Sequence, residues 1–314
     1  MVHPGTRCAL FVPARQDDLS PCGCCLGTFG NHLRGKGHTV THSEDQTQSA
    51  DDGARTAELA QRLSAVRQRI LEAAEQRTED RAHGGELPSL IVVTKFFPAQ
   101  DVVRLRDLGV RAVGENKDQE ALPKSQEVSE SLTEREADTS EPVWHFIGQL
   151  QSNKAKRVVR YASWVHSVDR ESLVVALGKA VGNHRAAVDQ NDVAPGPAAT
   201  ADLKCCIQVN LDPEAEEDSQ RGGAHPTRVA ELARLIVDTD GLELAGVMAV
   251  APKEGDPREA FERLWEISQQ LQREHPGATA VSAGMSGDLE AAVAAGATHV
   301  RIGSDVLGPR PAVR

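Results

Sequence analysis

Aromatic residues are scarce in this 314-residue chain: three Trp, six Phe and one Tyr, 3% in all. A large core must then be built from Val, Leu, Ile and Ala, which suits an α/β protein better than an all-β sandwich. Long apolar runs are also missing. No window approaches 18 uninterrupted apolar residues, which excludes a membrane-spanning helix. Cysteine is sparse at six residues, and Cys205 and Cys206 sit side by side in an apolar run, so a disulfide-stapled mini-protein is excluded. Positive charge is in deficit: 35 Lys and Arg against 46 Asp and Glu give a formal net charge of −11. That balance argues against a general binder of nucleic acid or acidic membranes. The longest early apolar stretch, Ala9 to Val12, is too short for a secretory signal, so a cytoplasmic protein with reduced cysteines is expected.

Residues 1–53 are rich in Gly, His, Cys, Ser, Thr and Asp and show no sustained apolar period, the composition of a disordered or loosely held tail. Cys22, Cys24, Cys25 and His32 are metal-ligating types. Their Cys-x-Cys-Cys spacing departs from the usual zinc pair, however, and no second pair follows. From Ala54 the pattern changes. Leu59, Leu63, Val66, Ile70 and Leu71 recur at helical spacing through Ala74 and predict an amphipathic helix ahead of the main fold, which is expected to occupy 54–314 as one domain.

Eight short apolar, β-rich runs then alternate with helical segments. The runs are Leu90–Thr94, Arg111–Gly114, Trp144–Gly148, Trp164–Val168, Leu203–Val209, Leu244–Val250, Thr279–Ala283 and His299–Ile302. Helices are predicted at Ala99–Leu108, Lys117–Leu122, Asn153–Tyr161, Arg170–Val181, Pro226–Asp238, Pro257–Glu274 and Asp288–Ala295. Several runs are apolar on both faces, as parallel strands buried on two sides require. The pattern predicts a (β/α)8 TIM barrel with Val and Ile filling its interior. A doubly wound open sheet is the alternative, since periodicity does not show closure; the lack of a G-x-G-x-x-G after the first run weakens its dinucleotide-binding form. Ser125–Pro142 and Gln190–Thr200 break the rhythm and read as surface insertions in loops.

Reactive residues of a parallel barrel sit at the carboxyl ends of its strands. Lys95 closes the first run, Glu115-Asn116 follow the second, and His145 and His166 lie in the third and fourth. Gly284-Met285-Ser286-Gly287 follows the seventh, and Arg301-Ile302-Gly303-Ser304 spans the end of the eighth. Two small Gly-rich loops after strands seven and eight let backbone approach a phosphate, with the Ser286 and Ser304 hydroxyls beside it. The same residues also suit tight βα turns with helix N-caps. A partly desolvated lysine at a barrel mouth is a candidate Schiff-base former, or an ordinary lysine reaching solvent from a strand end. One ligand satisfies both a reactive amine and a phosphate cradle: pyridoxal 5′-phosphate, with its aldehyde and its phosphate.

Val92-Val93-Thr94-Lys95, Gly114-Glu115-Asn116, Trp144-His145-Phe146-Ile147-Gly148-Gln149-Leu150-Gln151-Ser152-Asn153-Lys154, Gly284-Met285-Ser286 and Val300-Arg301-Ile302-Gly303 stand in order between residues 55 and 308. Together they resemble the pyridoxal phosphate homeostasis protein family, single-domain relatives of the alanine racemase N-terminal barrel. The resemblance implies that Lys95 forms the internal aldimine, that Ser286, Gly303 and Ser304 hold the phosphate, that Arg301 faces the pyridine nitrogen, and that Asn116 lies near the ring. Phe96-Phe97 follow the lysine where many members carry polar residues, and the first 53 residues lie outside the family pattern.

Whether such a site is catalytic turns on a second acid–base group. In the racemases resembled here that group is a Tyr from a separate C-terminal domain, for which this chain leaves no room after Gly308. Its one Tyr, Tyr161, falls on a predicted helix. The expectation is therefore a non-catalytic pyridoxal phosphate carrier, a monomer or weak dimer. Apo-enzymes that need the cofactor are its possible recipients. The rival is a racemase using His145 or His166 as the second base. Lys154, Lys156, Arg157 and Arg160 form a basic face that is either a partner contact or a solvated helix surface.

Overall fold

A computed structural model describes residues 42–81, 85–134, 140–212 and 222–310, with side chains from residue 52 onward. The cysteines at 22, 24 and 25 and His32 lie outside the described residues. The chain divides into two units at Gln46/Thr47, and the fold below is that of the second.

Helix α1, His42–Glu75, precedes the sheet. It starts well before Ala54; the added residues 42–53 contain no Pro and one Gly, Gly53, but they also lack the apolar period by which a helix is recognised in sequence. Leu59, Leu63, Val66, Ile70 and Ala73 are buried as one stripe spaced alternately by four and three residues. Leu71 falls off that stripe and is 39% exposed, so it does not join the core as expected.

Eight parallel strands follow: β1 Ser89–Val93, β2 Ala112–Glu115, β3 Val143–Phe146, β4 Trp164–Val168, β5 Leu203–Gln208, β6 Leu242–Met248, β7 Ala280–Ser282 and β8 His299–Ile302. Each pairs with the next, and β8 pairs with β1 from Ser89↔His299 to Val92↔Ile302, closing the barrel. Closure removes the open-sheet alternative. The outer helices are α2 Ala99–Asp107, α3 Asp118–Thr133, α4 Ala155–Val158, α5 Glu171–Asp189, α6 Pro197–Thr200, α7 Val229–Val237, α8 Pro257–Glu274, α9 Leu289–Ala294 and α10 Ser304–Leu307.

Two predicted loops are in part helical. Helix α3 runs through Pro123 and on to Thr133, because Val128 and Leu132 are buried against the core. An interior proline costs about 3 kcal/mol; burying two branched side chains offsets a cost of that size, at about 1.5–3 kcal/mol each. The surface insertion expected at 125–142 therefore begins only after the helix. In 190–200, α6 packs Ala198 into the core.

The barrel interior also departs from expectation. Most strand Val and Ile pack in the main apolar core with the helices: Val92, Val113, Val165, Ile207, Val247, Val281, Val300 and Ile302; Ile91 and Val93 lie on the other face of β1. His166 on β4 lies 2.9 Å from Ser282 on β7, strands that are not neighbours, so this contact crosses the lumen. The centre of the barrel thus holds buried polar groups beside a small apolar cluster of Cys206, Ala245, Met248 and Ala280.

Candidate functional site

Lys95 leaves β1 at the carboxyl rim and is half-buried. Burial lowers its pKa, the nearby Arg310 cation lowers it further, and Glu115 opposes both. Lys95, Ser286, Arg301, Gly303 and Ser304 line one cavity of about 310 Å³, with Phe96 and Phe97 on its wall. Five of the six residues implied by the resemblance are thus brought together.

Asn116 is the exception. It lines a neighbouring cavity of about 980 Å³ over β2 to β5, and its Oδ1 is buried without a hydrogen-bond partner.

The loops that carry the serines are held from two directions. Ser286 Oγ and Ser304 Oγ stand 3.2 Å apart, which sets two hydroxyls side by side at the cavity edge. Arg69 of α1 donates to Ser286 O at 3.1 Å and pairs with Asp305 at 2.6 Å and Glu290 at 2.7 Å, so one side chain ties the loops after β7 and β8. Gly284 turns the first loop at φ +92°, where an added Cβ would lie 2.7 Å from Ala292 Cβ. Gly303 caps α10 and approaches β1 so closely that a Cβ there would sit 3.3 Å from Val93 O.

Arg301 enters the cavity from below. It is 4% exposed, and its guanidinium donates to Ser282 Oγ at 2.8 Å and to Ala249 O at 2.9 Å. Both acceptors are neutral. Burial pushes the guanidinium down to about 10, with Asp288 opposing from a distance, so it stays cationic at neutral pH. A buried cation whose two acceptors are neutral, on the wall of a cavity, fits a ligand with an acceptor atom at that depth.

Under Lys95 lies a second buried group. Lys124 of α3 donates to Glu115 Oε1 at 2.6 Å and to Thr94 O at 2.9 Å, while Thr94 Oγ1 donates to the same Oε1 at 2.7 Å. Burial raises the Glu115 pKa against the pull of Lys124. The cluster anchors the turn from which Lys95 projects.

His145 and His166 do not line the cavity. They lie within the barrel, hydrogen-bonded to each other at 2.8 Å, and burial pushes His145 down to about 3 and His166 well below its ordinary value. Tyr161 lies in the turn after α4 rather than on the helix. It packs edge-on against Trp144 at 6.3 Å, and burial raises its pKa. On the basic face, Arg157 pairs with Asp118 at 2.7 Å.

Sequence reasoning missed Lys124, Ser282, Arg69 and Arg310. Ser282 had a signal, since it shares the Ala280 face of β7 by strand alternation. Lys124 was hidden behind Pro123, and nothing in the sequence brings α1 or the residues after α10 to this rim.

The sequence matches the profile of the family "Alanine racemase, N-terminal domain" over residues 71–311. It is 40% identical over 260 residues to the pyridoxal phosphate homeostasis protein of Mycobacterium tuberculosis, covering 82% of this chain and 94% of that one. Among solved structures it resembles PipY of Synechococcus elongatus with PLP bound (29% identity, TM-score 0.60, covering 80% of this chain and 100% of that one). It also resembles an unknown protein from Bifidobacterium adolescentis (27% identity, TM-score 0.65, covering 81% and 96%). With a closed barrel, five of the six implied residues around one cavity and this degree of likeness, the chain belongs to the pyridoxal phosphate homeostasis protein family, within the alanine racemase N-terminal domain fold.

Proposed function

We propose that this protein binds pyridoxal 5′-phosphate in the cavity over β8 and β1, without catalysing a reaction on it, and so regulates the free cofactor in the cytoplasm. The carrying observation is the buried Arg301 guanidinium in the same cavity as a half-desolvated Lys95. When bound, the cofactor supplies an aldehyde that reacts with amines and a ring that withdraws electrons. Lys95, its amine favoured in the neutral form by burial, would be the residue that holds the cofactor at its aldehyde end, through a link that water can reverse. Ser286, Ser304 and the backbone at Gly303 would hold the phosphate, and Arg69 keeps their two loops together. Arg301 would face the ring nitrogen as a donor that does not give up its proton, and a ring so held would be a weaker electron sink than one with a carboxylate partner.

The geometry favours this reading over a racemase. The candidate second bases, His145 and His166, are neutral, paired and inside the barrel, and Tyr161 packs in the core. Reversible attachment suits storage, buffering or delivery to apo-enzymes.

The test is spectroscopic. Protein incubated with pyridoxal phosphate should develop a visible band that borohydride fixes on Lys95, and Lys95→Ala should abolish it. Wild-type protein that stays colourless would sink the proposal. Exchange of the α-deuterium of alanine well above the rate with free cofactor would make it an enzyme. Holo-protein mixed with an apo-enzyme then separates delivery, seen as recovered activity, from retention.

A further inference from the structure

A hydrogen-bond chain runs through the barrel beneath the cavity. Arg301 Nη1 donates to Ser282 Oγ at 2.8 Å, Ser282 Oγ lies 2.9 Å from His166 Nδ1, and His166 Nε2 lies 2.8 Å from His145 Nδ1. All four side chains are buried. They come from β8, β7, β4 and β3, so the chain spans the lumen from one side of the barrel to the other.

Donor chemistry gives the chain a direction. A guanidinium only donates, so Ser282 Oγ accepts from Arg301. Among the described residues, His166 Nδ1 is the acceptor left for the serine hydrogen. His166 then carries its own hydrogen on Nε2 and gives it to His145 Nδ1, which leaves the His145 hydrogen on Nε2 as well. The opposite tautomer of His166 would strand the Ser282 hydrogen in a buried site, which is penalised. Both imidazoles are held neutral by burial. The titratable or charged groups around the chain are His299, whose ring centre is 6.4 Å from each of theirs, Cys206 and Asp288.

Resting on the cofactor reading above, we propose that Ser282, His166 and His145 are positioning residues for Arg301. The one-way chain engages Nη1, Ala249 O engages Nη2, and together they fix the plane of the guanidinium. The cation then meets the ligand as a rigid donor, which keeps an unprotonated ring nitrogen in place. Successive donation along the chain strengthens each bond in it.

The full-length protein tests this in two steps. In the ligand-free state, long-range ¹H–¹⁵N correlation spectra at neutral pH should show His145 and His166 as Nε2–H tautomers, assigned with His145→Gln and His166→Gln. A His166 that carries its hydrogen on Nδ1, or is doubly protonated, overturns the chain. Next, Ser282→Ala should shift the visible band of bound pyridoxal phosphate and weaken its affinity about 10-fold, the loss of one hydrogen bond to a charged group. Ser282→Thr should restore both. Should Ser282→Ala fail to fold, His145→Gln, at the far end of the chain, should shift the band in the same direction by less. A variant that lowers only the melting temperature, with band and affinity unchanged, overturns the positioning role. Wild-type protein that takes up no pyridoxal phosphate overturns the cofactor reading and the role built on it, an outcome distinct from a wrong tautomer.

Discussion

Two cavities open side by side on the carboxyl rim, and the smaller one is the proposed cofactor site. The larger, about 980 Å³, is lined mostly by charges that pair with acidic or basic neighbours: Arg170 with Asp169 at 2.6 Å, Arg228 with Glu171 and Glu231, and Lys117 with Glu120 at 3.2 Å. The smaller, about 310 Å³, holds a lysine whose charge is disfavoured and a buried arginine with only neutral acceptors. Volume is a poor guide to a site. What distinguishes the small cavity is the pairing of a lysine whose charge is disfavoured with a buried arginine that has only neutral acceptors.

Closing the small cavity should have the largest effect. Gly303→Val crowds Val93 O, and overpacking of this kind costs about 1–3 kcal/mol, so pyridoxal phosphate affinity by titration should fall about 10- to 100-fold. Acid should come next, because the hydrogen-bond chain beneath Arg301 runs through neutral imidazoles. His145 and His299 are pushed down to about 3 and about 4, and His166 lies well below its ordinary value. The unfolded chain protonates these rings near pH 6.5 and the folded chain does not. Stability is therefore fully present above that pH and is lost as pH falls towards 3–4, by about 1.4 kcal/mol per pH unit for each ring. Urea midpoints between pH 7 and 4 measure this; a flat profile would mean the rings accept protons in place.

A matched pair of arginine variants gives the smallest effects and the sharpest contrast. Arg310 sits 4.8 Å over the Phe96 ring and lowers the Lys95 pKa. Cofactor uptake requires the neutral amine and should rise with pH through that lowered pKa. Arg310→Ala should shift the profile to higher pH by only part of the displacement, since burial, the larger cause, remains. Arg170→Ala, on the wall of the large cavity, should leave affinity within about twofold and stability within about 1 kcal/mol, as for a partly exposed pair. Equal effects from the two variants would erase the distinction between the cavities.

The eight strands were legible because runs such as Leu90–Val93 are apolar on both faces, as parallel strands buried on two sides require. Which way their polar members point was not. His145, His166, Ser282 and Arg301 face inward, and only closure makes four distant strands share a lumen. The cavity residues were legible as motifs. Asn116 belonged to the same motif set yet opens onto the neighbouring cavity, because a side chain at a strand end is aimed by the turn that follows. Lys124 was illegible for a local reason: Pro123 suggested that a helix had ended, while the burial of Val128 and Leu132 carried it onward.

Lys95 follows the first strand and Arg301 and Gly303 belong to the end of the last, and these two strands meet at the seam where the barrel closes. During synthesis the lysine therefore emerges long before the groups that face it. A nascent chain presents an amine with no cradle, and the proposed site is complete only when the seam is sealed. A ligand bridging the two strands acts as a staple across that seam, so cofactor load and resistance to local opening there should rise and fall together.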